Sequence, residues 1–84
     1  MTKIRVLVVE DSLTIREALL AVLSQDSGLQ VVGQAGDGIQ AFEQCQRLRP
    51  DVMTMDMNMP IMNGLEATER IMAYCPTPIL IVSS

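Results

Sequence analysis

Apolar, β-branched runs of strand length alternate with segments of helical period along this chain, and this alternation constrains the fold more than any other feature. The predicted strands are residues 3–9, 29–35, 51–56 and 79–83, and the predicted helices are residues 12–25, 37–48 and 64–74. The first predicted strand is a mainly apolar run that does not alternate, with Lys3 and Arg5 as its charged residues, as in strands that are covered on both faces. Strands that alternate with helices form right-handed βαβ units, so the sequence predicts an α/β fold with a parallel sheet.

The spacing of apolar residues also predicts which helix faces turn inward. On the first helix these are Ile15, Ala18, Leu19, Val22 and Leu23, and on the third helix Leu65, Thr68, Ile71 and Met72. The first helix has a second apolar stripe, Leu13 and Leu20, on its other side. Asp37 and Gln40 form a capping-box-like pair at the start of the second helix, and Pro50 ends that helix.

The composition excludes several classes of function. The chain has 84 residues, 49% of them apolar, with 10 acidic and 6 basic side chains and a net charge of −4, which argues against a chain that coats nucleic acid. It contains no histidine, so neither a Ser-His-Asp site nor a histidine-ligated metal can form within it. No apolar run approaches the roughly 18 residues that span a bilayer, and the N-terminus lacks a signal-peptide pattern. Cys45 and Cys75 suggest no disulfide, so we expect a reducing, cytoplasmic compartment.

Three acidic residues stand where predicted strands end. Glu10 and Asp11 follow the first strand, and Asp56 closes the third. In the strand order 2-1-3-4 these strands are neighbours, and ligands bind at the carboxyl ends of such strands, where the order reverses. Like charges this close cannot all ionise cheaply, so either one carboxyl group is protonated or a cation binds there. Oxygen ligands favour a hard ion, and Mg²⁺ fits best.

With a cation in place, Asp56 is the natural nucleophile toward a phosphoryl group, and the product would be an acyl phosphate. The alternative for each single acid is a helix cap or a solvated loop residue. Asp11 in particular could cap the helix that follows it.

The segments Val6 to Ser12, Asp56 to Pro60 and Met62 to Gly64 resemble the receiver domain of two-component response regulators. The resemblance covers the whole chain, and residues 64–68 and 76–84 are most similar to the receiver of the chemotaxis protein-glutamate methylesterases. It implies a flavodoxin-like, doubly wound sheet. It also implies phosphorylation of Asp56 by a sensor histidine kinase, and a C-terminal effector domain in the parent protein.

The resemblance further implies the roles of individual residues. Glu10, Asp11 and Asp56 would hold Mg²⁺ together with the backbone carbonyl of Asn58, and Ser83 would be the switch hydroxyl that bonds the phosphoryl group. Receivers continue through a fourth helix, a fifth strand with a lysine and a fifth helix. The only lysine of this chain, Lys3, lies at the wrong end of the first strand.

We therefore expect residues 1–84 to be the N-terminal portion of one receiver domain, without a second domain. The last strand would then be an exposed apolar edge, and the chain would form oligomers or swapped assemblies. Three other functions fit less well: a receiver of a single-domain or DNA-binding regulator, an aspartyl-phosphate phosphatase, or an inactive half-domain that only assembles. The phosphatase would need a second acid two residues after Asp56 to protonate the leaving group. That position is Asn58, which argues against a phosphatase.

Overall fold

The computed structural model describes residues 2–59 and 61–82, which form one four-stranded parallel sheet and three helices. The strands are β1 (Ile4–Val9), β2 (Leu29–Ala35), β3 (Val52–Asp56) and β4 (Ile79–Val82), and the helices are α1 (Leu13–Ser24), α2 (Gly38–Leu48) and α3 (Gly64–Tyr74). Each element begins and ends within one residue of its predicted position in this range. None of these helices is long and apolar enough to cross a bilayer. Two residues of the predictions, Pro60 in the loop before α3 and Ser83 after β4, lie outside the described residues.

The sheet has the predicted strand order, β2-β1-β3-β4, and every pair is parallel. From β1 the chain first adds β2 on one side, and it then crosses back to add β3 and β4 on the other. Right-handed crossovers in opposite directions place α1 on one face of the sheet and α2 and α3 on the other. The fold is therefore the doubly wound α/β arrangement that the sequence predicts.

The buried core lies between the sheet and helices α2 and α3. Alternate side chains of the two central strands, those of Leu7, Val9, Met53 and Met55, point to this face and are almost fully buried. They pack against small or apolar residues of the two helices, which are Ala41, Cys45, Ala67 and Ile71. The small side chains allow the helices to approach the sheet closely, and this face supplies most of the apolar burial.

The predicted inner face of α1 is only partly correct. The half-buried residues of α1 are Arg16, Leu19, Leu20 and Leu23, and none is fully buried. Val22 is 65% exposed, and Ile15 and Ala18 are exposed as well. Apolar residues occupy more than half of the circumference of this helix, so their spacing does not decide which part meets the sheet.

The predicted inner face of α3 needs a similar correction. Its buried residues are Gly64, Ala67 and Ile71, whereas Leu65 and Met72 are exposed. Thr68 is half-buried, and its hydroxyl donates to the carbonyl oxygen of Gly64 at 2.7 Å. The residues that decide the orientation are glycine and alanine, because they permit a closer approach to the sheet than larger side chains would.

The helix caps follow the sequence signals. The side chain of Asp37 accepts a hydrogen bond from the backbone N–H of Gln40 at 2.8 Å, as the predicted capping pair requires. Arg49 ends α2 in the left-handed conformation, with φ at 50°, directly before Pro50.

At the start of α1 the cap is Ser12, whose hydroxyl accepts from the N–H of Ile15 at 3.3 Å. The alternative reading of Asp11 as the cap of this helix is therefore wrong.

Candidate functional site

The predicted meeting of three acids at the carboxyl edge of the sheet is confirmed. Glu10 and Asp11 follow β1, and Asp56 is the last residue of the neighbouring strand β3. One carboxylate oxygen of each lies within 4.8 Å of the others. Glu10 is 3% exposed and Asp56 is 4% exposed, while Asp11 is open to solvent. We call Glu10, Asp11 and Asp56 the acid cluster.

Backbone groups hold the two buried carboxylates in place. The N–H of Ser12 donates to Oε2 of Glu10 at 3.0 Å, and the N–H of Asn58 donates to Oδ1 of Asp56, also at 3.0 Å. In addition, the N–H of Glu10 donates to the carbonyl oxygen of Ala35 at the end of β2. The loops after β1 and β3 therefore position both side chains through the main chain, independently of any bound ion.

The acid cluster is electrostatically unfavourable without a counter-charge. Burial raises the pKa of Glu10 above its usual 4.5, and the neighbouring Asp56 and Asp11 raise it further, against the opposing effect of the Ser12 N–H. Two of the three carboxyl groups are thus nearly enclosed, side by side and of like charge. A proton shared by the cluster or a bound cation would relieve the repulsion.

The donor set fits a hard divalent cation. All three side chains offer carboxylate oxygens, and the cluster contains neither the sulfur nor the imidazole ligands that softer metals prefer. Mg²⁺ characteristically takes one or two carboxylates and keeps water or phosphate oxygens in its other positions, which suits one exposed and two buried acids.

The remaining predicted residues are placed as follows. Asn58 is exposed two residues after Asp56, and its N–H is one of the groups that hold Asp56. Ser83 lies outside the described residues. Lys3 is exposed and precedes β1 at the amino edge of the sheet, so it is remote from the acid cluster as predicted.

The role of Gly64 was not predicted. The first residue of α3 packs against the backbone of Asp56 and Met57 so closely that a Cβ at position 64 would collide with the carbonyl oxygen of Asp56. The N–H of Gly64 also donates to the carbonyl oxygen of Met57 at 3.3 Å. A glycine at the first position of a predicted helix is the signal that could have indicated this contact, since glycine there has no advantage for the helix itself.

Comparison with known proteins agrees with this fold. The profile of the response regulator receiver domain matches residues 6–84, so the chain belongs to the response regulator receiver domain family. The protein-glutamate methylesterase/protein-glutamine glutaminase of Methanococcus maripaludis is 52% identical over 84 residues, which is all of this chain and 23% of the relative.

Two solved structures are also similar. The response regulator domain of Thermotoga maritima CheB has 46% sequence identity and a TM-score of 0.96, over 98% of this chain and 61% of that one. The chain matched in the CheX-CheY-BeF3-Mg²⁺ complex from Borrelia burgdorferi has 25% identity and a TM-score of 0.92, over 98% of this chain and 63% of that one. The chain thus spans about a quarter of the length of its curated relative and about three fifths of these structures.

Proposed function

We propose that this chain is the phosphoacceptor part of a chemotaxis response regulator of the methylesterase type, and that Asp56 is the residue that is phosphorylated. The observation that carries the proposal is the acid cluster, with three carboxylates within 4.8 Å at the carboxyl ends of β1 and β3. Because the chain belongs to the receiver family, we interpret this cluster as the phosphoacceptor site.

The proposed reaction is the transfer of a phosphoryl group from a phosphohistidine of a sensor kinase. A carboxylate oxygen of Asp56 forms a bond to phosphorus, the phosphorus–nitrogen bond breaks, and the histidine nitrogen takes the electron pair. The product is an acyl phosphate on Asp56. The Asn58 N–H bond to Oδ1 supports this role, because it fixes the carboxylate and leaves Oδ2 available for attack.

Glu10, Asp11 and Asp56 would hold Mg²⁺, together with the backbone carbonyl of Asn58. A bound ion of this kind neutralises the charge on the transferring phosphoryl oxygens. Two observations support this assignment: the oxygen-only donor set, and the presence of Mg²⁺ and BeF3 in the complex of the similar Borrelia protein.

The partners and the domain context are part of the same proposal. Residues 1–84 are the N-terminal portion of a cytoplasmic receiver domain that accepts its phosphoryl group from a sensor histidine kinase and controls a C-terminal effector. Ser83 acts as the switch hydroxyl. The similarity to methylesterases four times as long and to the Thermotoga receiver supports this context. The methylesterase reaction would belong to the effector, since this chain has no histidine.

The decisive experiment is phosphorylation by a small phosphodonor. Incubation with acetyl phosphate and Mg²⁺ should give a phosphorylated protein whose adduct is released by hydroxylamine, as expected of an acyl phosphate. Asp56→Asn should abolish the adduct. Asp51→Asn is the matched control, because Asp51 is an exposed acid just before β3, at the opposite end of that strand, and should leave phosphorylation unchanged.

If the Asp56→Asn variant still forms the adduct, a residue other than Asp56 is the phosphoryl acceptor. Phosphorylation that is unaffected by removing all divalent ions would remove the proposed role of Mg²⁺. If the protein accepts no phosphoryl group, either as the 84-residue chain or joined to the remaining segments of a receiver domain, the proposed function is wrong.

A further inference from the structure

Among the residues that the structure describes, the buried hydroxyl of Thr54 has no hydrogen-bond partner. Thr54 is 6% exposed, and its Oγ1 contacts no donor or acceptor. Thr77 is equally buried, yet its hydroxyl donates to the carbonyl oxygen of Cys75 at 2.9 Å and lies 3.2 Å from the sulfur of Cys45. Buried hydroxyl groups are nearly always satisfied, so the difference between these two threonines calls for an explanation.

The strand register places Thr54 directly behind the acid cluster. Thr54 pairs with Val8 of β1 and Leu80 of β4. Two residues further along the strands stand Glu10 and Asp56, and side chains two apart on a strand point to the same face of the sheet. Thr54 therefore stands one row behind the two buried acids, with a Cα spacing of roughly 7 Å along the strand.

On β1, β3 and β4 the residues next to Thr54 on its face of the sheet are aliphatic. Among the described residues of β1, β3 and β4 that share its face, the row of Thr54 contains Val8 and Leu80, and the row behind it contains Val6 and Val52. The polar side chains on these strands within reach are those of Glu10 and Asp56. A Cα spacing of roughly 7 Å gives no direct hydrogen bond between side chains that stand upright on the strand. One water bridges oxygens that are up to about 5.6 Å apart, with two bonds of about 2.8 Å each, so a lean of the side chains toward each other by about 1–2 Å suffices.

We infer that Thr54 is a positioning residue, which holds a buried water against the carboxylates of Glu10 and Asp56. This inference rests on the proposed function, since it assigns a supporting group to the same site. The water would donate to a carboxylate oxygen that the Ser12 and Asn58 N–H groups leave free. Such supporting hydrogen bonds orient metal ligands, and their loss typically weakens metal binding about 10- to 100-fold.

The test compares three variants by titration calorimetry with Mg²⁺ alone. Thr54→Val has the same shape without the hydroxyl and should weaken Mg²⁺ binding about 10-fold. Thr54→Ser restores the hydroxyl and should restore the affinity. Thr77→Val is the matched control, because it removes an equally buried hydroxyl at the amino edge of the sheet, away from the acids. It should lower stability and leave Mg²⁺ affinity unchanged.

A second measurement needs no metal. If the Thr54 hydroxyl bonds a water, Thr54→Val breaks that bond and lowers the stability of the Mg²⁺-free protein to urea. If the hydroxyl is truly unpaired, the same substitution removes a desolvated polar group and raises stability. A stabilised Thr54→Val variant with wild-type Mg²⁺ affinity would overturn the inference.

The two proposals fail in different ways. A wild-type protein that binds Mg²⁺ and is phosphorylated, with a Thr54→Val variant that does both equally well, refutes the role of Thr54 and leaves the proposed function intact. A wild-type protein that neither binds Mg²⁺ nor is phosphorylated refutes the proposed function. The direction of the stability change in the metal-free protein then decides whether Thr54 holds a water.

Discussion

The two faces of the sheet differ in how completely they are covered. On one face, α2 and α3 enclose a core in which Met53, Met55 and Ile71 have no exposure. On the other face, α1 covers Val6 and Val8 but contributes no fully buried residue of its own. Glu10, Asp56 and Thr54 belong to this second, more open face by the alternation of the strands.

This difference separates stability from function. The face covered by α2 and α3 supplies the well-packed apolar contacts, so substitutions there should act on folding. The α1 face carries the buried charges and the unpaired hydroxyl, which oppose folding unless an ion or water satisfies them. The apolar contacts that stabilise the fold and the acid cluster therefore lie on opposite faces of the sheet.

The strongest contrast should come from removing apolar atoms on each face. Ile71→Ala leaves a cavity in the enclosed core and should lower the free energy of unfolding by about 2–5 kcal/mol. Val22→Ala removes atoms that are already in water and should change it by no more than about 0.5 kcal/mol. Urea unfolding followed by circular dichroism measures both. Equal losses in the two variants would show that α1 is as well packed as α3.

The free energy of unfolding should also depend on pH, through the thiol of Cys75 on the face covered by α2 and α3. Burial raises the pKa of the Cys75 thiol to about 11 from 9.0, and the nearby thiol of Cys45 adds to the shift. Because the folded-state pKa is the higher one, the stabilising contribution is complete below pH 9 and is lost as the pH rises toward 11. The loss amounts to roughly 2–3 kcal/mol.

This effect is measured as the difference in unfolding free energy between pH 8 and pH 11. Cys75→Ala is the control, because it lacks the titrating thiol while other groups still titrate. If the wild-type protein and this variant lose stability in parallel, the thiol is not the source of the pH dependence.

The smallest effect on stability is expected at the sheet edge, where self-association should change instead. Leu80 in β4 is 61% exposed, and β4 is the last strand of the sheet in the described part of the chain. An exposed apolar edge favours pairing with another chain, so the 84-residue chain should associate at micromolar concentration. Leu80→Lys should reduce the mass observed by light scattering while changing the free energy of unfolding by no more than about 0.5 kcal/mol.

Gln30→Lys introduces the same charge on β2 at the other edge, where the side chain is also exposed, and should leave association unchanged. A monodisperse monomer in the wild-type chain would contradict the expectation of an oligomer.

Much of the fold followed from sequence because the signals were local. Apolar runs such as residues 6–9 indicate the strands, and residues with specific backbone chemistry, such as Asp37 and Pro50, mark the ends of α2. The convergence of Glu10, Asp11 and Asp56 was predictable as well, since it needs only the strand ends and the strand order. The topology then determines which carboxyl groups meet.

The orientation of the helices was less predictable because it depends on what lies across from them. Leu65 and Met72 were expected to face inward by hydrophobicity, but Gly64 and Ala67 occupy the contact because they are small. The partner of Thr54 could not be foreseen either. A threonine in a β-rich run is a good strand residue, and only the tertiary structure shows that its hydroxyl finds no acceptor.

The close approach of Gly64 to Asp56 has a mechanical consequence. Because the first residue of α3 touches the backbone of Asp56 without an intervening side chain, there is no compressible layer between that segment and the helix. A displacement of the Asp56–Met57 backbone of even a few tenths of an ångström would push α3 as a rigid rod, carrying the motion about 16 Å to Tyr74 at its far end.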